Sequence, residues 1–327
     1  MTAAVRLGTR RSALATAQSQ QVATELERVL GGPVVLVPLT SEGDVTRASL
    51  AEAGGDGVFA TRLREALTAG ECDLLVHSLK DLPTQPAAGI RLAAIPARED
   101  PRDVVVTRGG VALHELRPGA VVGTGSPRRV AQTHVRARRV SVREIRGNVD
   151  SRLERLRRGE LDAVVLAAAG LARLGGVPRD LAAEYLGLAE WPTAAGQGAL
   201  AVEVREDAPA GLREAVAALD DGAARVAVVA ERAVLAGLEA GCHAPVGIHA
   251  DRSGTMLRVR AVVYSPDGSR RVGIDRTAPV TDGYAEGSGS GNGAYAAGDA
   301  DPESRARRTG YAIARELLAQ GAADITP

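Results

Sequence analysis

The stretch Ala163-Val-Val-Leu-Ala-Ala-Ala169 is an uninterrupted apolar run, and no other segment constrains the fold as strongly. A strand with one wet face alternates apolar and polar residues. A continuous run is buried on both faces, as in the centre of a parallel sheet with helices on either side. Its neighbours agree. Ala120–Gly123 reads as a strand, and Ser126 and Pro127 suit the N-cap and first position of a following helix. Val140–Ile145 reads as another strand, and Ser151-x-x-Glu154 as a capping box opening a helix that runs to Gly159.

The same alternation precedes this unit. Val5–Gly8 is a strand, and a helix follows from Ser12, with Leu14, Ala17, Val22, Leu26, Val29 and Leu30 at helical spacing and Gly31-Gly32 as its stop. Val34–Leu39, a helix over Thr61–Thr68 closed by Gly70, and a buried strand at Leu74–His77 complete it. The expected fold class is therefore α/β: two doubly wound units, joined near Pro96–Pro101 and again near Trp191–Ala199. The last third differs. A helix over about Ala223–Ala240 precedes Leu257–Tyr264 and Arg270–Asp275, which flank the turn Ser265-Pro-Asp-Gly268. With a closing helix over Pro302–Gln320, this is a small antiparallel α+β domain. Gly283–Gly298 holds six glycines and reads as a flexible surface insertion.

Charge narrows the function. Forty basic and 40 acidic residues balance, so no basic excess announces a nucleic-acid partner. Aromatic residues are 2% of the chain, which leaves little for stacking bases. Yet 13 arginines face 5 acids between Gly123 and Arg179, a local net charge of +8. Arg128 and Arg129 follow Gly123-Thr-Gly-Ser-Pro127, and Arg146 precedes Gly147-Asn148. Both are strand-to-helix junctions, where α/β sheets hold ligands and helix N-termini attract anions. Arg152 and Arg155 pair at i, i+3 on the next helix. The site reading is favoured for Arg128, Arg129, Arg146 and Arg152. Arg136, Arg138, Arg139, Arg157 and Arg158 read as a solvated helix face. A polyanionic ligand, bound by guanidinium forks, is expected.

Lys80 is the single lysine of the chain. Either a compact ammonium is required there or it is a chance survivor on a wet face, and composition does not choose. It lies in His77-Ser-Leu-Lys80-Asp81-Leu-Pro83, directly after a buried strand. A loop in that place suits a site better than a bare surface ion pair.

Taken together, the ordered motifs resemble the porphobilinogen deaminase family along nearly the whole chain. They are Arg6-Leu-Gly-Thr-Arg10-Arg-Ser12, Gly57-Val-Phe59, His77–Pro83, Gly123–Arg129, Arg146-Gly-Asn-Val149, Ala168-Ala-Gly-Leu-Ala-Arg173-Leu-Gly175, Gly196-Gln-Gly198 and Gly241-Cys242. The resemblance implies two periplasmic-binding-protein-like lobes with the site between them, plus a small cofactor-attachment domain. The boundaries expected here are 1–98 with about 196–216, then 99–195, then 217–327 with the insertion at 283–298.

It further implies a dipyrromethane cofactor held as a thioether by Cys242, with porphobilinogen as the substrate. Asp81 would be the central catalytic carboxylate. Lys80, Ser126, Arg128, Arg129 and Arg146 would bind the cofactor, and Arg10, Ser12, Arg152 and Arg173 the substrate. Cys72 matches nothing in the family and reads as core. This chain departs from the pattern at Asp56, where a basic residue is common, at Ala240, where a second glycine is usual, and in the insertion. No metal, nucleic acid or membrane partner is expected. Without an apolar leader or an ~18-residue apolar span, a cytoplasmic monomer is expected. A two-lobed solute-binding protein without catalysis is the alternative, but it gives Cys242 no purpose.

Overall fold

A computed structural model describes residues 4–39, 58–240, 244–281 and 301–325. The Asp56 and Gly57 positions, Cys242 with Gly241, and the glycine-rich insertion lie outside the described residues.

The first unit contains β1 (Val5–Arg10), α1 (Ala13–Leu30), β2 (Val34–Leu39), α2 (Val58–Thr68), β3 (Leu74–Ser78) and β4 (Ile90–Ala94). The chain then crosses into the second unit: β5 (Asp103–Thr107), β6 (Val121–Gly123), α3 (Pro127–Arg136), β7 (Ser141–Arg143), α4 (Val149–Arg157), β8 (Ala163–Ala167), α5 (Ala168–Arg173) and β9 (Ala182–Tyr185). It crosses back into β10 (Leu200–Arg205) and α6 (Ala210–Ala217). It ends in α7 (Gly222–Gly237), β11 (Val246–Ser253), β12 (Met256–Tyr264), β13 (Arg271–Pro279) and α8 (Pro302–Ala319).

Two five-stranded sheets share one plan, β2-β1-β3-β10-β4 and β7-β6-β8-β5-β9. In each, three strands run parallel, and the next one, delivered by a crossover from the other unit, runs against them. β8 is central, as its composition requires, but it pairs parallel with β6 and antiparallel with β5. Both faces are nonetheless covered. Val104 and Val106 of β5 pack into one cluster with Leu153 and Val164, and Val105 points into another with Val122 and Trp191. The third sheet, β11-β12-β13, is antiparallel, and α7 and α8 share its apolar core.

Local signals start α1, α3, α7 and α8 where expected, while α2 begins three residues early and α5 and α6 were not expected. Ser12 caps α1 by accepting from the Ala15 amide, and Gly31, at φ +64°, closes it. Ser126 caps α3, with Pro127 in its first turn. The expected capping box at Ser151 is incorrect. Asn148 is the N-cap, its side chain accepting from the Ser151 amide at 2.8 Å, so α4 begins three residues early. Gly147, at φ +102°, permits this turn, because a Cβ there would collide with the Ser151 hydroxyl. β7 is also shorter than the apolar stretch 140–145 suggested, and β11 lies where no strand was expected.

Candidate active site

The two crossovers, over 95–102 and 186–199, bring distant segments together. Gly198 adopts φ +90°, and a Cβ there would strike the Glu99 carbonyl oxygen, so the two connections touch backbone to backbone. One buried acid holds both. Glu231 of α7, 0% exposed, accepts from Arg98 at 2.7 and 3.0 Å, from the Gly196 amide at 2.6 Å and from the Ala250 amide at 2.7 Å. Burial works against its charge, but Arg98 and His249 prevail and hold the carboxyl at about 2.

Beside the crossovers, β3 ends and turns. The Leu79 amide donates to the Ala199 carbonyl at 3.0 Å, and Leu79 is fully buried. That anchor leaves Lys80 half-buried and Asp81 exposed on a single 3-10 turn. Ser78 accepts from Gln18 of α1 at 2.8 Å. His77 of the same motif faces the other way, 3.2 Å from Glu203 on β10, which also accepts from Arg64 at 2.6 and 3.0 Å. The strand's alternation separates His77 from the site.

Burial lowers the Lys80 ammonium to about 8. Arg129 and Arg128 push it the same way, while Asp81 and Asp103 oppose. Lys80 of the first unit is thus within electrostatic reach of Arg128, Arg129 and Asp103 in the second.

Arg128 and Arg129 are buried there, and Asp103 is the reason. This carboxylate, 0% exposed, accepts from Arg128 at 2.8 Å, Arg129 at 2.6 Å, the Trp191 indole at 2.8 Å and Gln197 at 2.8 Å. Despite burial, the two guanidiniums hold its carboxyl well below the usual carboxylate range. One negative charge thus serves two buried positive ones. The Nε of each arginine is buried and has no hydrogen-bond partner among the described residues. Buried donors and surplus positive charge are costly unless an acceptor anion arrives.

The remaining arginines are spread more widely. Arg152 donates to the Gly147 carbonyl at 2.9 Å, and burial, then Arg129 and Arg146, lowers its pKa. Arg146 is exposed and bonded to Glu144 at 2.9 Å. Arg173, at the end of α5, donates to the Gly198 carbonyl at 2.9 Å and lies 3.5 Å from the Gln21 side chain of α1. Arg10 ends β1, and Ser12 stands between it and α1, where its hydroxyl oxygen is the helix cap. The charges of Lys80, Arg128, Arg129, Arg152 and Arg146 thus lie within electrostatic reach of their neighbours in the set, Asp81 follows Lys80 in the chain, and Arg173, Arg10 and Ser12 lie around α1 and α5. Arg157 and Arg158 point elsewhere, paired with Asp180 and Glu154.

Matches to known proteins follow this architecture. A family model described as "Porphobilinogen deaminase, dipyromethane cofactor binding domain" matches residues 5–212, and "Porphobilinogen deaminase, C-terminal domain" matches residues 226–288. The porphobilinogen deaminase of Leifsonia xyli is 50% identical over 99% of this chain and 94% of its own. Porphobilinogen deaminase 1 of Streptomyces coelicolor is 49% identical over 98% and 97%.

The chain belongs to the porphobilinogen deaminase family.

A periplasmic substrate-binding protein of an ABC transporter from Coxiella burnetii is similar at a TM-score of 0.43 and 19% identity, over 67% of this chain and 93% of its own. The porphobilinogen deaminase cofactor, dipyrromethane, is two linked pyrroles bearing acetate and propionate groups. The unused Nε donors of Arg128 and Arg129 and their uncompensated charge fit such a group. Cys72 is a poor attachment point in a porphobilinogen deaminase: it is fully buried, and burial pushes its thiol up to about 11. No described helix is long and apolar enough to cross a membrane.

Sequence reasoning missed Asp103 and Glu231 and assigned Gln197 no role. Signals existed: Asp103 opens the apolar strand Val104–Val106, and Glu231 interrupts the apolar face of α7.

Proposed function

We propose that this chain is a hydroxymethylbilane synthase. It condenses four porphobilinogen molecules head to tail, releases one ammonia for each, and consumes one water to free the linear tetrapyrrole. The observation that carries this reading is an exposed carboxylate, Asp81, next in the chain to Lys80, together with two buried guanidiniums, Arg128 and Arg129, that share one acid. Bound dipyrromethane supplies the nucleophilic ring carbon that starts the chain, and Cys242 is its attachment residue. Lys80, Ser126, Arg128, Arg129 and Arg146 hold the cofactor carboxylates, and Arg10, Ser12, Arg152 and Arg173 those of the substrate. Asp81 accepts hydrogen bonds from pyrrole N–H groups, stabilises positive charge as ammonia leaves, and carries the protons that the condensation moves.

The domain reading of 1–98 with about 196–216, 99–195 and 217–327 is supported by the three sheets and by β10 lying in the first of them. We place the protein in the cytoplasm as a monomer. A non-catalytic solute-binding role leaves Cys242 idle and is not favoured by the family match.

Intact-mass spectrometry tests the proposal. The purified protein is expected one dipyrromethane above its sequence mass, pink with acidic aldehyde reagent, and releasing ammonia from porphobilinogen. Cys242→Ser is expected at the bare mass, while Cys72→Ser keeps the adduct. A wild-type protein of bare mass that releases no ammonia overturns the proposal, and an adduct on a Cys72 peptide moves the attachment site.

The depressed Lys80 ammonium gives a pH test. As pH rises through about 8 the group loses its charge, so its hold on a cofactor carboxylate should weaken, and the rate at which cofactor-free protein assembles the adduct from porphobilinogen is expected to fall there. Lys80→Arg stays charged and should flatten that limb, although its wider fork weakens binding overall. An unchanged pH profile of adduct assembly in Lys80→Arg would remove Lys80 from recognition of the cofactor carboxylates.

A further inference from the structure

A pocket of about 430 Å³ opens between the second and third units, and none of the residues assigned above to cofactor or substrate lines it. That volume lies in the usual range for small-molecule sites. Trp191, Tyr264 and Gln132, each 2% exposed, line its inner part. Arg136, the last residue of α3, and Arg271, the first of β13, line it from two units and are exposed. Neither forms a salt bridge with a described residue. Glu190 is the single acid of the lining, so the pocket is net positive.

We infer that this pocket is a second binding site, for a flat single-ring carboxylate. Two aromatic side chains offer faces or edges to a planar ring. Two guanidiniums with no salt-bridge partner among the described residues, brought together from positions 135 residues apart in the sequence, offer forks to carboxylate. The volume admits one substituted ring and is too small for a chain of four. The site is separate from the catalytic cluster: Arg136 lies eight residues along α3 from Arg128, about 12 Å at the helical rise.

The two sites share a wall. Gln132 accepts from Arg128 at 2.6 Å, and Trp191 donates to Asp103 at 2.8 Å. A ligand against these side chains presses on the network that positions Arg128.

Trp191 is the single tryptophan of the chain, so its emission reports on this pocket. The holoprotein is titrated with benzene-1,3-dicarboxylate while indole fluorescence is recorded. A saturable change is expected, weakened at least tenfold in the Arg136→Ala/Arg271→Ala double variant and unchanged in Arg157→Ala, whose partner is Asp180. Cyclohexane-1,3-dicarboxylate, with the same charges and no flat ring, is expected to bind more weakly. No saturable change, or equal affinity in the double variant, overturns the site; equal affinity for the cyclohexane compound overturns its preference for a flat ring.

Discussion

Asp81→Asn is expected to lower the turnover of porphobilinogen by about 10²- to 10³-fold, the usual loss when one preorganised electrostatic contact to a developing charge is removed. Asparagine preserves size and one acceptor oxygen but removes the charge that stabilises cationic pyrroles. The arginines proposed to bind the substrate carboxylates are untouched, so KM should change little while kcat collapses. Asp81→Glu retains the charge one methylene away and should keep measurable activity. Asp81 is exposed on a turn held in place by buried Leu79, so neither variant should shift stability by more than about 0.5 kcal/mol. Ammonia release under single-turnover conditions, alongside a thermal melt, measures both quantities. Near-normal turnover in Asp81→Asn would take the carboxylate out of the chemistry and leave only a binding cleft.

The second large effect concerns stability. Asp103→Ala removes the acceptor shared by Arg128, Arg129, Trp191 and Gln197. Breaking a buried pair while leaving its cations in place costs about 3–5 kcal/mol, and here two cations are stranded. A marked drop in the denaturation midpoint is expected, with loss of the cofactor adduct as Arg128 and Arg129 leave their positions. Asp103→Asn keeps the shape and should fall between. A midpoint for Asp103→Ala within error of wild type would mean that the network relaxes at no cost.

The pH dependence of the wild type follows from the same chemistry. Carboxyls depressed in the folded state contribute stability that is present above their unfolded pKa and lost as pH falls toward the folded value. For Glu231 and Glu203 that window runs from 4.5 down to about 2. Stability attributable to them should therefore be flat through neutrality and decline in acid.

How much of this was legible beforehand depends on the range of each interaction. Ser12, Gly31, Ser126 and Pro127 mark helix ends correctly because a cap involves groups within about four residues of one another. The apolar run from Ala163 announces a strand buried on both faces because every residue in it must avoid water. The excess of arginines between Gly123 and Arg179, and the polar loop after β3, were equally visible. At Ser151 a local signal was misread, since Asn148 offered a competing cap three residues earlier.

Tertiary position decided the rest. Composition cannot tell that Arg128 and Arg129 are inside and Arg146 outside. Their partner Asp103 arrives from 25 and 26 residues away, and Trp191 joins it from 88. Nor could it place β10 in the first sheet, or turn His77 toward Glu203 and away from Lys80. The sequence alone determined the α/β class, the alternation of strands and helices, and the concentration of arginines in the second unit. The folded chain determined which cations are sequestered with which acid. A buried charge takes as its partner whatever the packing of distant strands brings within 3 Å, and no spacing along the chain records that distance.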